Sequence, residues 1–271
     1  MQKDGGGRVF IPRFRVATTL TRHPPAGVST ISPDSPQGAV PAPPPPTRVV
    51  SVSVSGARGE KARLTLEDGL ELSFDTETLL AEAFRPGDAV DAPLRARLVE
   101  ASLRWQIREA ALRLLAYRAR SRGELATRLR RKDFPSRLIR PVLDDLEDRG
   151  WLDDAEFARS WIRDRLRLRP RGRRALLAEL RKKGVEAAVA EAALEEIFAD
   201  PDHSERKIAF SLAESWLRRQ PAALAEALMA GGRDPTADKA RRRFQGHLAR
   251  RGIPGGLIRQ ALDHLRDGGS S

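Results

Sequence analysis

The chain has 271 residues, with 49 Lys and Arg against 37 Asp and Glu and a formal charge of +12, which is enough length for a real core and an excess of cation that points to a polyanionic partner. The absence of cysteine excludes a disulfide framework, a thiolate nucleophile and a thiolate metal site, and it fits a reducing cytosol. No apolar run approaches the ~20 residues that cross a bilayer, so the expected setting is cytoplasmic, with no membrane partner.

Residues 1–47 carry Gly5-Gly6-Gly7 and a Pro-rich stretch ending Pro43-Pro44-Pro45-Pro46. They lack a secretory pattern and read as a disordered tail. From Val49 the texture changes. Val50, Val52 and Val54 alternate with Ser51 and Ser53, the period of a half-buried strand. Two further alternating runs, Arg63 to Glu67 and Leu70 to Phe74, flank Asp68-Gly69. That dipeptide predicts a two-residue hairpin turn with positive φ at both central positions. A short helix around Thr78 to Phe84 and a turn at Pro86-Gly87 complete a small β-rich domain over 48–93.

From about Leu94 onward strand signals vanish. Ile107, Ala111, Leu114 and Leu115 mark one helical face, and Phe157, Ala158, Trp161, Ile162 and Leu166 mark another. Ser121 with Glu124, Asp153 with Glu156 and Asp202 with Glu205 have capping-box spacing, and Pro135 and Pro254 sit where a first helical residue would. Trp151, Trp161, Trp216, Phe157 and Tyr117 could serve as base-stacking platforms, but core positions explain them better; Trp151, just before a capping box, reads as a hydrophobic staple.

The sequence repeats itself. Leu125, Leu129, Lys132, Phe134, Leu138, Leu143 and Leu146 recur, shifted by 51, as Leu176, Leu180, Lys183, Val185, Val189, Leu194 and Ile197. They recur again, shifted by a further 68, as Phe244, Leu248, Arg251, Ile253, Leu257, Leu262 and Leu265. This is a helix, a tight break and a second helix, with Asp133, Gly184 or Gly252 at a left-handed break. A further helix precedes each pair, near Gln106 to Arg120, Asp154 to Leu168 and Ser204 to Arg219. The expected architecture is therefore mainly α: tandem three-helix, helix-turn-helix-like repeats over 94–150, 151–200 and 201–267, in an elongated curved array. An insertion around Pro221 to Asp234 lengthens the third copy.

The succession Ser121-Arg122-Gly123-Glu124-Leu125, Trp151-Leu152-Asp153-Asp154, Arg171-Gly172, Leu180-Arg181-Lys182-Lys183-Gly184-Val185, Lys239-Ala240 and Arg250-Arg251-Gly252-Ile253 resembles the RecX family of recombination regulators over about residues 105 to 266. The resemblance implies a non-enzymatic protein that docks on the RecA filament and limits its growth or activity. It supplies no catalytic residue and no cofactor.

Charge is segregated along the repeats. Arg159, Arg163 and Arg167 share one helix face and continue into Arg171, Arg173 and Arg174, then Lys182 and Lys183. The first repeat offers Arg128, Arg130, Arg131 and Lys132, and the third offers Arg250 and Arg251. Like charges four apart cost a helix about 0.2–0.5 kcal/mol per pair, a cost that a polyanion would relieve. These basic residues are the candidate surface for the RecA filament or for DNA, single-stranded in the first place and duplex as a possibility, on a chain expected to act as a monomer. The four histidines show no ligand spacing, no phosphate loop or nucleophile elbow is present, and Asp153-Asp154 reads as capping rather than as a metal pair. A helix-turn-helix DNA-binding protein acting outside recombination is the competing reading. It is disfavoured because the helix after each of the first two breaks carries mainly acids and apolar residues instead of base-reading side chains.

Overall fold

The structure, a computed structural model, describes residues 46–55 and 61–268. The tail expected over 1–47 falls outside them except at its end, where Thr47 already opens the first strand.

Four strands, β1 (Thr47–Ser55), β2 (Lys61–Leu66), β3 (Glu71–Asp75) and β4 (Ala89–Val90), form an antiparallel sheet in the order β3-β2-β1-β4. Ala62, Leu64, Leu66, Leu72 and Phe74 are buried against Leu79 of α1 (Thr76–Glu82) and Leu98 of α2 (Ala92–Tyr117). Two strand expectations are corrected. A bulge between Val49 and Ser51 shifts the parity of β1, so Val49 is buried while Val50 and Val54 are exposed; a one-residue insertion moves alternate side chains to the other face. In the hairpin, only Gly69 has positive φ, at +80°. The Asp68 carboxylate accepts the Leu70 N–H at 3.0 Å and Leu66 N–H bonds Leu70 C=O, so the loop closes over three residues with a single left-handed position.

The first repeat's opening helix was expected near Gln106 to Arg120, yet α2 begins at Ala92. One rod serves two cores. Leu98 belongs to the sheet's core, Ile107, Ala110 and Ala111 to the first repeat's, and between them the buried Ser102 Oγ accepts the Ser73 N–H at 3.0 Å.

The first unit adds α3 (Arg122–Arg130) and α4 (Ser136–Asp148); the second is α5 (Asp154–Leu168), α6 (Arg173–Lys182) and α7 (Ala187–Phe198); the third is α8 (Glu205–Leu217), α9 (Ala222–Ala230), α10 (Pro235–Arg250) and α11 (Gly255–Arg266). The repeating apolar positions form the cores: Leu125, Leu129, Leu138, Leu143 and Leu146 in one, Leu176, Leu180, Val185, Leu194 and Ile197 in the next, Phe244, Leu248, Ile253 and Leu265 in the last. The breaks are left-handed as expected, at Asp133 (φ +63°), Gly184 (+79°) and Gly252 (+83°). The insertion folds into α9, whose Leu224 and Leu228 join the third core.

Ser121 and Asp153 cap their helices, but the third capping box does not form. Asp200 accepts the Asp202 N–H in a short turn, Pro201–His203, and Ser204 caps α8 instead. Pro201 starts its own turn and delays the helix. Pro135 and Pro254 stand at the cap, one position before the first helical turn. Phe157 and Trp216 are core and Trp161 is half-buried, but Trp151 is 62% exposed and Tyr117 84%. The residue directly before the Asp153 cap is Leu152, which is buried in the first core, and Trp151 is not a core residue.

Candidate polyanion-binding surface

Successive units meet through one recurring joint. In the first, the N-cap hydroxyl of Ser121 donates to the Lys183 carbonyl, and Gly123 lies so close to the break that a Cβ there would stand 2.5 Å from Gly184 Cα. In the second, 51 and 68 residues along, Gly172 N–H donates to the Arg251 carbonyl at 2.8 Å, and a Cβ on Gly252 would stand 2.5 Å from Ala175 N. Each joint is closed by an acid. The free first-turn N–H of Arg122 is accepted by Asp154 Oδ1 at 2.7 Å, and that of Arg173 by Glu205 Oε1 at 2.9 Å.

Helix starts leave N–H groups without intrahelical partners, and here the next repeat supplies the acceptor. The Asp153-Asp154 pair thus divides its labour, Asp153 capping its own helix and Asp154 the preceding repeat's. Burial, with Glu147 and Asp153 nearby, holds the Asp154 carboxyl above the usual range against the opposing pull of the Arg122 N–H and charge. No group of three or more His, Cys, Asp or Glu among the described residues could hold a metal. Replacing Asp154 by Ala is expected to cost about 1 kcal/mol of stability in a urea titration, as loss of a cap does, with Asn retaining part of it; an unchanged midpoint would contradict the joint described.

The expected basic residues fall into separate groups. Arg128, Arg131, Lys182 and Lys183 gather at the first joint around a small cavity of about 190 Å³. Of these, Lys183 is engaged, its Nζ 3.1 Å from Glu124 and 3.9 Å from the Trp161 ring centroid. The others have no carboxylate partner among the described residues. Arg120, missed by sequence reasoning, lies just behind them at 6% exposure. Its Nε donates to the Leu114 carbonyl and its guanidinium pKa is lowered by burial, then by Arg118 and Arg128.

A second group, Arg171, Arg250 and Arg251, lines a cavity at the second joint together with Arg169, Arg219 and His247. Arg171 belonged to the expected basic run; Arg169 and Arg171 stand 51 residues after Arg118 and Arg120, a recurrence of basic positions that the apolar pattern does not bring out. Arg219 and His247 had no such signal.

The column Arg159, Arg163 and Arg167 on α5 is a third group, and it is already paired. Arg159 lies 2.9 Å from Glu156 and 3.6 Å from Glu196, Arg163 lies 3.8 Å from Glu156, and Arg167 lies 3.4 Å from Asp164. The remaining residues scatter. Arg130 lines a mixed groove with Arg122, Asp144 and Glu147, Arg173 covers the Phe198 ring at 5.5 Å, and Lys132 and Arg174 are exposed. Arg128, Arg131 and Lys182 at the first joint and Arg250 and Arg251 at the second thus combine a place beside a cavity with no carboxylate partner among the described residues.

Residues 108–146 match the family model described as RecX, first three-helix domain, and residues 153–194 that described as RecX, second three-helix domain. The chain is similar to the regulatory protein RecX of Corynebacterium efficiens, 42% identical over 162 residues that make up 58% of this chain and 72% of the relative. It is also similar to that of Mycolicibacterium smegmatis, 40% identical over 147 residues, 54% of this chain and 72% of the relative. A crystal structure of a regulatory protein RecX aligns over 80% of this chain and 99% of its own with a TM-score of 0.60 at 19% identity, a likeness of fold.

Proposed function

We propose, from the premise that this chain belongs to the RecX family of regulatory proteins, that it acts without catalysis, as a cytoplasmic monomer, by binding the RecA nucleoprotein filament and restraining its ATPase, strand-exchange and coprotease activities. The observation that carries the reading to this chain's own surface is the unpaired cation at the two repeat joints: Arg128, Arg131 and Lys182 at one, Arg250 and Arg251 at the other. Such charge, held on rigid helix ends, suits the phosphates of single-stranded DNA inside a filament or an acidic filament surface.

The helix-turn-helix alternative is weakest at the second repeat, although α4 exposes Arg137 and Arg140 and α11 exposes Arg259 and Gln260. On α7, which follows the break, the exposed positions include Ala187, Ala188, Glu191, Glu195 and Glu196, and a helix of Ala and Glu lacks the Arg, Asn and Gln that read base edges.

The test is ATP hydrolysis by the cognate recombinase on single-stranded DNA with this protein at substoichiometric amounts. Inhibition is the expected result. Unchanged hydrolysis at every ratio would remove the filament from the reading.

A further inference from the structure

The second joint holds a cavity of about 620 Å³ whose lining has cations but no carboxylate. Arg169, Arg171, Arg219, Arg250 and Arg251 border it with His247, and Ser211 and Ser215 add hydroxyls. Of the five guanidinium groups only Arg171 is ion-paired among the described residues, 2.9 Å from Glu179.

Two of the others are held in place by partners that carry no charge. Arg219 Nε donates to the Ser215 carbonyl at 2.8 Å, and its Nη2 donates to the same residue's hydroxyl. Arg251 Nη1 stands against the His247 ring, in contact with Nε2 and 3.2 Å from Nδ1. A guanidinium can only donate, so the imidazole facing it must be the acceptor and hence neutral. Burial, followed by Arg251, Arg219 and Arg250, pushes His247 down to about 4, and Arg251 is itself lowered by burial and by Arg219, Arg171 and Arg250. On α5, by contrast, Arg159, Arg163, Arg165 and Arg167 each meet a Glu or Asp. Here the fold fixes the arginines with a carbonyl, a hydroxyl and a neutral imidazole, and their charge stays available.

We propose that this cavity is a binding site for a phosphate group carrying more than one charge, a terminal phosphoryl or a diphosphate. A phosphodiester brings one negative charge, which leaves most of the converging cations uncompensated. A phosphomonoester or diphosphate brings two or more, with several oxygens for the forked donors of Arg. The cavity's size lies in the range of small-ligand sites. The first joint lacks the feature: its cavity is about 190 Å³ and contains Glu124.

The ligand has two sources, the 5′-phosphate of a DNA strand or a free nucleotide. The site stands on the cavity and not on the filament reading, so a chain that binds pyrophosphate but leaves recombinase ATPase untouched would keep this inference and lose that one.

Calorimetric titration of the full chain with pyrophosphate is expected to show one site, weakened at least tenfold in Arg219→Gln and further in Arg219→Gln/Arg251→Gln, and unchanged in Arg259→Gln on the exposed face of α11. Anisotropy with a ten-nucleotide strand then identifies the source. At least tenfold tighter binding of the 5′-phosphorylated strand than of the 5′-hydroxyl strand, competed by pyrophosphate, indicates a strand end. Equal binding of the two strands, with ADP displacing pyrophosphate, indicates a free nucleotide. Either result upholds the site. No pyrophosphate binding to the wild-type chain, or equal binding to a folded Arg219→Gln chain, overturns it. Should the double variant fail to fold, the wild-type and single-variant titrations decide alone.

Discussion

Gly123→Ala is expected to lower the melting temperature by roughly 2–12 °C, the result of about 1–3 kcal/mol of overpacking in a chain of this size, where each kcal/mol moves the midpoint by about 2–4 °C. The direction is what makes the experiment informative. Gly123 lies in the first turn of α3, and by intrinsic helix propensity Ala there should stabilise by up to about 1 kcal/mol. The joint dictates the opposite, because the added methyl would stand 2.5 Å from Gly184 Cα and 2.7 Å from its carbonyl oxygen, and these are backbone atoms that cannot rotate aside. Gly184 has no substitute either, since it is left-handed at +79° and a Cβ there would stand 2.7 Å from Gly123 Cα. A thermal melt that rises with Gly123→Ala would show that the two repeats do not approach as described. An intermediate signature is also informative: if the first repeat melts apart from the rest, hydrogen exchange should show α3 losing protection before α6.

The second large effect concerns salt. Neutralising Arg128, Arg131, Lys182 and Arg250 together to Gln is expected to flatten the dependence of log Kd on log salt by roughly three units for single-stranded DNA, at about 0.7 per phosphate contact. Neutralising Arg159, Arg163 and Arg167 instead is expected to change it by less than about one unit, because Glu156, Glu196 and Asp164 already occupy those guanidinium groups and ion pairs in place must be broken before a phosphate replaces them. The reverse ranking, with the α5 column dominating the slope, would move the working surface away from the joints and onto α5.

What the sequence disclosed follows from which interactions are local. The helices of the repeats were legible because Leu125 and Leu129, or Leu176 and Leu180, are four apart on one face, and because a Gly or Asp at the break permits a left-handed turn. The strand pattern was legible too, but its phase was not: the bulge after Val49 reverses which valines face inward, and nothing in an alternating Val-Ser run marks it. The joints were hidden because their partners lie far apart in sequence. Asp154 caps a helix 32 residues earlier, while its neighbour Asp153 makes the ordinary local cap that spacing predicts. The basic column on α5 was visible as spacing, and so were its local partners Glu156 and Asp164, three residues from Arg159 and Arg167; only the contact of Arg159 with Glu196 on α7 lay beyond local spacing. Arg219 escaped notice because the insertion that follows it interrupts the repeat, and His247 because a lone histidine carries no pattern.

The joints also give the array a direction in time. A ribosome releases the chain N-terminus first, so α3 emerges with its local Ser121 cap but with the Arg122 N–H waiting for Asp154, and in α6 the Arg173 N–H waits for Glu205. Each repeat is completed by its successor, and incomplete helix starts move along the nascent chain. The third repeat ends the relay. There, at the position equivalent to Ser121 and Gly172, Ala240 is buried within a continuous helix, and α10 starts earlier on its own cap, Asp234, which accepts from Thr236 at 2.8 Å and Ala237 at 3.0 Å. A fourth copy appended at residue 268 would find no waiting helix start to cap, so lengthening the array would require replacing the third unit's entry with that of the second.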